Sequence, residues 1–318
     1  MGESMENSQL NVALAAEKIL NEVKKVIVGK DNVLLWVLAA ILAGGHILLE
    51  DIPGVGKTTM ALAFSRALGL KHNRVQFTPD VLPSDVTGYS VLEQGTGKLT
   101  YRPGAVLCNL FLADELNRAT SRTQSALLEA MEENQATVDG ISHPLPQPFI
   151  VLATQNPVGA AGTQLLPDSQ IDRFMVRLSL GYPQPADEVE MVLSRQAADP
   201  LSKTQQVCDT ESLQQLREFV RQTYVAQPVA EYVVKLLDAT RRHESLLRGG
   251  SPRATLAVVS MAKAVARLRG RDYVVPRDVQ EVLPVTLTHR LQAIPGAEMT
   301  AQEVLHLLIE KVPAPKLR

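Results

Sequence analysis

The sequence predicts an α/β fold: a parallel sheet between two layers of helices, followed by a smaller domain made of helices alone. Two observations lead there. Short apolar runs of strand length alternate with helical periodicity through the first half of the chain. After the proline-punctuated stretch Gly181-Tyr-Pro-Gln-Pro185 the periodicity turns almost entirely helical. The expected division therefore gives residues 1–185 to the α/β unit and 186–318 to the helical one.

Taken in order, Asn11 to Val28 reads as an amphipathic helix. Asp31 is the expected N-cap of an apolar helix that ends before Gly44-Gly45. Its apolar run, Val33 to Ala43, has eleven residues, against about 20 needed to cross a bilayer; it reads as a buried helix and not a membrane span. His46 to Glu50 is a buried strand, Thr58 to Leu68 a helix, and Asn73 to Phe77 a strand. Cys108–Ala113 and Phe149–Ala153 are further strands, with a helix from Ser121 to about Glu132 between them, and Phe174 to Leu180 is the last. Beyond the linker, Leu213, Leu216, Phe219 and Val220 share one helical face, as do Val233, Leu236, Leu237 and Thr240. The same spacing recurs over Val258–Leu268, Val279–Leu287 and Val304–Ile309.

Composition narrows the function. With 32 basic and 34 acidic residues the net charge is −2, which gives no electrostatic reason to expect nucleic acid or a membrane surface as main partner. Hydrophobic residues at 45 % and charged residues at 21 % are globular values, not those of a disordered chain. Two cysteines, Cys108 and Cys208, exclude a disulfide framework and leave no metal-ligand spacing, so a reducing cytoplasm is the expected location. Residues 1–10 lack the basic-then-apolar pattern of a signal peptide.

The chemistry concentrates in four places. The loop Pro53, Gly54, Val55, Gly56, Lys57, Thr58 and Thr59 lies between a strand and a helix and fits the second half of the Walker A pattern. Its glycines let backbone N–H groups converge on phosphate oxygens, and the helix presents its positive dipole end to the same anion. Lys57 is placed to reach the β- and γ-phosphates of ATP, and the Thr58 hydroxyl to ligate Mg²⁺. The full pattern wants glycine where Asp51 stands, so the Asp51 side chain is expected to point away from the phosphates. Further on, an apolar strand ends in Asp114-Glu115 at the carboxyl edge of the sheet, where the loop also opens. Asp114 is expected to hold Mg²⁺ through water and Glu115 to polarise the attacking water as general base. Asn156 follows the next strand and is suited to bind the γ-phosphate or orient that water. Two arginines complete the set: Arg173, ending a short helix before the last strand, and Arg253, opening a helix in the second domain. An arginine acting on the γ-phosphate from a neighbouring subunit contributes about 10³–10⁵ in rate.

These motifs together resemble the MoxR family of AAA+ ATPases over nearly the full length. The most specific segment is Asp114-Glu-Leu-Asn-Arg-Ala-Thr-Ser-Arg-Thr-Gln-Ser-Ala-Leu-Leu-Glu-Ala-Met-Glu-Glu133, joined by Pro53–Thr58, Ala153–Pro157, Gln170–Phe174 and Ser251–Ala254. The departures are Asp51 for the usual first glycine and Lys30 where a Gln often follows Val-Gly. The resemblance implies an AAA+ P-loop core with a helical lid and a hexameric ring of identical subunits with ATP at their interfaces. It also implies sensor 1 at Asn156, an arginine finger at Arg173 and sensor 2 at Arg253. Two hairpin insertions are implied as well, one near Tyr89–Tyr101 and one over Ala136–Pro148 turning at Asp139-Gly140. The resemblance further implies chaperone-like remodelling of client proteins that carry a von Willebrand factor A domain. A nucleic-acid motor or loader is the rival reading, kept alive by Lys98 and Arg102 beside the first hairpin, and a metal-chelatase-type ATPase subunit is a second.

Overall fold

A computed structural model describes residues 2–52, 54–95, 97–156, 166–195 and 199–316. Helices α1 (Gly2–Lys24) and α2 (Asp31–Leu42) lead into β1 (Ile47–Glu50), α3 (Lys57–Ala67) and β2 (His72–Gln76). The short α4 (Pro83–Thr87), the hairpin β3 (Gly88–Leu92) and β4 (Leu99–Pro103), β5 (Leu110–Asp114) and α5 (Ser121–Glu133) follow. A second hairpin, β6 (Gln135–Val138) and β7 (Ile141–Pro144), precedes β8 (Ile150–Gln155), α6 (Asp168–Ile171) and β9 (Val176–Leu178). The remainder is helical: α7 (Pro185–Arg195), α8 (Thr210–Arg221), α9 (Gln227–Arg241), α10 (Pro252–Leu268), α11 (Pro276–Leu287) and α12 (Ala301–Lys311). It also holds a two-stranded ribbon, β10 (Leu246–Arg248) with β11 (Gln292–Ala293), which helical periodicity alone does not foresee.

The central sheet is parallel throughout, in the order β2-β5-β8-β1-β9. Successive strand residues point to opposite faces, and each face has its own core. Ile47, Leu49, Leu110, Leu112, Ile150 and Leu152 pack with α1–α3. Leu48, Phe111, Ala113, Val151 and Ala153 pack with α5. The first of these cores runs on without a break into the helical region through Leu213, Val233, Val258 and Leu283. Arg217 of α8 carries this join, donating from Nε to the Ile41 carbonyl at the end of α2 (2.8 Å).

Three local expectations change. Asp31 is not the cap of α2 but its first residue; Lys30 occupies the cap position, and its side chain makes no capping hydrogen bond. The Asp31 carboxylate is drawn instead to Lys24 at 3.1 Å, and an acid in the first turn still suits the helix dipole. The strand expected from Cys108 begins at Leu110, because the Asn109 and Leu110 amides both donate to the Lys71 carbonyl (2.8 and 3.1 Å) before the ladder starts. The strand expected over Phe174–Leu180 keeps only Val176–Leu178, since the Leu180 and Gly181 amides turn to the Asp51 carboxylate (2.6 and 3.0 Å).

Candidate active site

The phosphate loop lies between β1 and α3. Gly54 and Gly56 have φ of 88° and 97°, where an L side chain is strained even though a Cβ would meet open space. α3 starts at Lys57 with Gly56 as a cap that offers no side-chain acceptor, so its first N–H groups face the loop unclaimed. Lys57 is buried and donates to the Asp51 carbonyl at 2.7 Å. Burial lowers its pKa, opposed by the nearby charges of Asp51, Asp114 and Glu115. Pro53 lies outside the described residues. The Asp51 side chain points away from the loop, as expected, and accepts from the Ser179 hydroxyl (2.7 Å) as well as from the two amides that follow it.

Across the cleft, Asp114 ends β5, and Glu115 follows in the left-handed region at φ 57°. Thr154 of β8 ties both: its hydroxyl donates to Asp114 Oδ1 (2.6 Å) and accepts from the Glu115 amide (2.8 Å). The Glu115 carboxylate accepts from Arg118 (3.0 Å) and from Asn156 Nδ2 (3.1 Å). Burial pushes the Glu115 pKa up, but hydrogen bonds from Arg118, Asn156 and Gln76, with the Arg118 charge, hold it below the ordinary carboxylate value. Asn156 keeps one buried atom, Oδ1, without a hydrogen-bond partner among the described residues.

Gly54, Gly56, Lys57, Thr58, Thr59, Asp114, Glu115 and Asn156 therefore line one cleft of about 320 Å³. A second pocket of about 330 Å³ shares Gly54, Gly56 and Thr59 with it and is walled by Val26, Ile27, Val55, Tyr182 and Met191. Lys30 donates to the Tyr182 carbonyl at its rim (2.8 Å). A phosphate-binding cleft beside a more apolar pocket fits a nucleotide. The oxygen donors Thr58 and Asp114 are of the hard type that suits Mg²⁺, and the orphaned Asn156 Oδ1 is a polar atom awaiting a partner in the same cleft.

Arg173 and Arg253 line neither pocket. Both are held by one carboxylate, Glu132, near the far end of α5: Arg173 at 3.2 Å from Oε2, and Arg253 on Oε1. Beside them, Ser251 caps α10 and reaches Asp172 (3.3 Å), and Arg290 and His289 meet the Phe174 carbonyl (2.7 and 3.1 Å). Sequence reasoning gave no role to Glu132 or Thr154. It also missed Arg74 and Gln76, which project from β2 into the cleft. The one signal was polar alternation at His72, Arg74 and Gln76 in a strand of an otherwise apolar sheet.

Residues 46–176 match the family described as ATPase family associated with various cellular activities (AAA), and residues 238–307 match the AAA lid domain. The chain is 42 % identical to the uncharacterised protein YeaC of Bacillus subtilis, over 95 % of each. It is 39 % identical to Chaperone MoxR1 of Mycobacterium tuberculosis, over 95 % of this chain and 82 % of that one. The crystal structure of a candidate ATPase from Cytophaga hutchinsonii superposes with a TM-score of 0.90 at 34 % identity, covering 99 % of both chains. Fold, phosphate loop and relatives agree: the chain belongs to the MoxR family of AAA+ ATPases, and its reaction is the hydrolysis of ATP.

Proposed function

We propose that the protein is a Mg²⁺-dependent ATPase that assembles into a ring, a hexamer, and uses hydrolysis at subunit interfaces to remodel client proteins. The observation that carries this reading is the separation of the catalytic groups. Lys57, Thr58, Asp114, Glu115 and Asn156 share one cleft, while Arg173 and Arg253 are gathered on Glu132 about 16 Å along α5 from its start. Two arginines that lie outside their own cleft support a site completed from a neighbouring subunit.

In that arrangement the loop amides and Lys57 would hold the phosphates, and Thr58 and Asp114 would hold Mg²⁺. The metal, when bound, supplies charge neutralisation at the phosphate oxygens. Glu115, kept ionised by Arg118, Asn156 and Gln76, accepts the proton of the attacking water. Asn156 orients that water. Arg173 and Arg253 of the adjacent subunit neutralise charge developing on the γ-phosphate. The division between a core ending at 185 and a lid from 186 onward gives hydrolysis two bodies to move against each other. A client with a von Willebrand factor A domain is the partner class we favour, and the name of Chaperone MoxR1 agrees with work on other proteins. We place the protein in the cytoplasm; among the described residues no helix is long and apolar enough to cross a membrane.

The test is steady-state ATPase activity against protein concentration, with sizing of wild type and Arg173→Ala in ATP. Specific activity should rise with assembly, and the variant should assemble yet lose about 10³-fold or more in turnover. Equal activity in a monomer, with a silent Arg173→Ala, would reject the shared site.

A further inference from the structure

β2 alternates between half-buried Asn73 and Val75 and exposed His72, Arg74 and Gln76. It pairs in parallel with β5 so that Gln76 lies opposite Asp114. Arg74 thus stands on the face that looks into the phosphate cleft, and its guanidinium donates to Asp114 Oδ2 at 2.7 Å and to Gln76 at 3.3 Å. The other Asp114 oxygen is taken by Thr154 at 2.6 Å. Both oxygens of the carboxylate suited to a divalent cation are therefore occupied, one of them by a full positive charge.

A guanidinium and a divalent cation repel each other when they share one carboxylate, so Arg74 competes with metal for Asp114. The Arg74 side chain is 46 % exposed, whereas Asp114 is buried and fixed by Thr154. Lys57 and Arg74 are the cationic side chains lining this cleft. A triphosphate entering it meets both, and the planar fork of an arginine matches phosphate oxygens as well as it matches a carboxylate.

We propose that Arg74 is an exchangeable counter-ion of the active site: it holds Asp114 while the cleft is empty and transfers to the terminal phosphate when metal and ATP enter together. The inference rests on the ATPase reading above and adds a residue of the same subunit to those that sense the γ-phosphate. With ADP no terminal phosphate receives the guanidinium, so Arg74 returns to Asp114 and loosens the metal. The exchange gives the site a chemical means of distinguishing its substrate from its product.

The test uses the full chain and two readouts apart from turnover: Mn²⁺ affinity of the ADP complex by electron paramagnetic resonance, and affinity for a fluorescent non-hydrolysable ATP analogue with Mg²⁺. In Arg74→Ala, Mn²⁺ should bind the ADP complex about three- to tenfold more tightly, since its competitor is gone. The analogue should bind about tenfold more weakly, since a charge-assisted contact to phosphate is lost. Arg74→Lys, which keeps the charge but not the fork, should fall between variant and wild type on both readouts. Opposite signs for the two ligands support the exchange. Loss in both, or change in neither, overturns it and leaves Arg74 as a prop for Asp114. Should Arg74→Ala fail to fold, Arg74→Lys alone still decides by the sign of its two shifts. A wild-type chain that binds no ATP analogue at all would instead reject the ATPase reading itself.

Discussion

Glu115 occupies left-handed backbone at φ 57° and ψ 44°, a conformation that costs a side-chain-bearing residue on the order of 1 kcal/mol. The hydrogen bond from its amide to Thr154 and the clasp of Arg118 and Asn156 on its carboxylate maintain it there. Glu115→Gln keeps the shape and removes the base. We expect ATP binding within about twofold of wild type and turnover lower by about 10²-fold or more, measured by equilibrium titration and steady-state ATPase; unchanged turnover would remove Glu115 from the role. Its carboxylate stays ionised below the usual 4.5, so mild acidification is not expected to neutralise the base. Stability is expected to respond instead, through the buried His46 and His289, whose pKa values burial lowers from 6.5 to about 4 and about 3. Below pH 6.5 the unfolded chain binds protons that the folded chain refuses, so stability is full above that value and drains away as pH falls toward 4. Each histidine should contribute about 1 kcal/mol of loss by pH 5.5, read by urea titration at pH 7.5 and 5.5. The acidic pair Asp114-Glu115 was legible in the sequence because carboxylates ending an apolar run have few structural uses. Arg74 and Gln76 were not, because alternating polar residues on a strand read equally well as a solvated edge.

At the scale of elements, the two hairpins are the clearest case of sequence chemistry setting geometry. Gly95 and Gly97 turn the first with φ of 108° and 64°, and Asp139 and Gly140 turn the second with both φ positive, as a tight two-residue hairpin requires. The family resemblance implied both hairpins, and turn residues between alternating side chains located them. What joins them was not legible in the sequence, since it links residues far apart in the chain: Tyr101 of β4 stacks on His143 of β7 with ring centres 3.6 Å apart and planes 7° from parallel. The Tyr101 hydroxyl is anchored on the Thr87 carbonyl at 2.6 Å, so the stack fastens the second hairpin to α4 as well. His143→Ala should cost about 1 kcal/mol locally and speed amide exchange in 88–103 and 135–144 together. Hydrogen-exchange mass spectrometry checks this; a change confined to one hairpin would show that they move independently. Leu92 and Leu99, paired in register and both mostly exposed, give the first hairpin an apolar end.

At the scale of the molecule, one carboxylate joins the two halves where the arginines sit. Glu132 spans Arg173 of the α/β half and Arg253 of the helical half. Without it two guanidinium groups face each other unneutralised, so Glu132→Ala should lower turnover about tenfold and leave nucleotide affinity unchanged, as the nucleotide cleft lies elsewhere. Paired ATPase and binding measurements separate the two effects, and loss of nucleotide affinity would contradict the placement. The helical half was legible as helices but not as a body docked by Arg217, His289 and Arg290 onto backbone carbonyls, because carbonyl acceptors leave no trace in side-chain pattern. A further join, within the α/β half, is Asp51, whose carboxylate gathers the Ser179 hydroxyl and the next two amides. Its consequence is evolutionary. Position 51 cannot drift by itself: a glycine there strands the buried Leu180 amide, at about 1–3 kcal/mol. Lineages that carry glycine at 51 must therefore reroute the chain at 179–181, and the two sites are expected to change as one inherited unit.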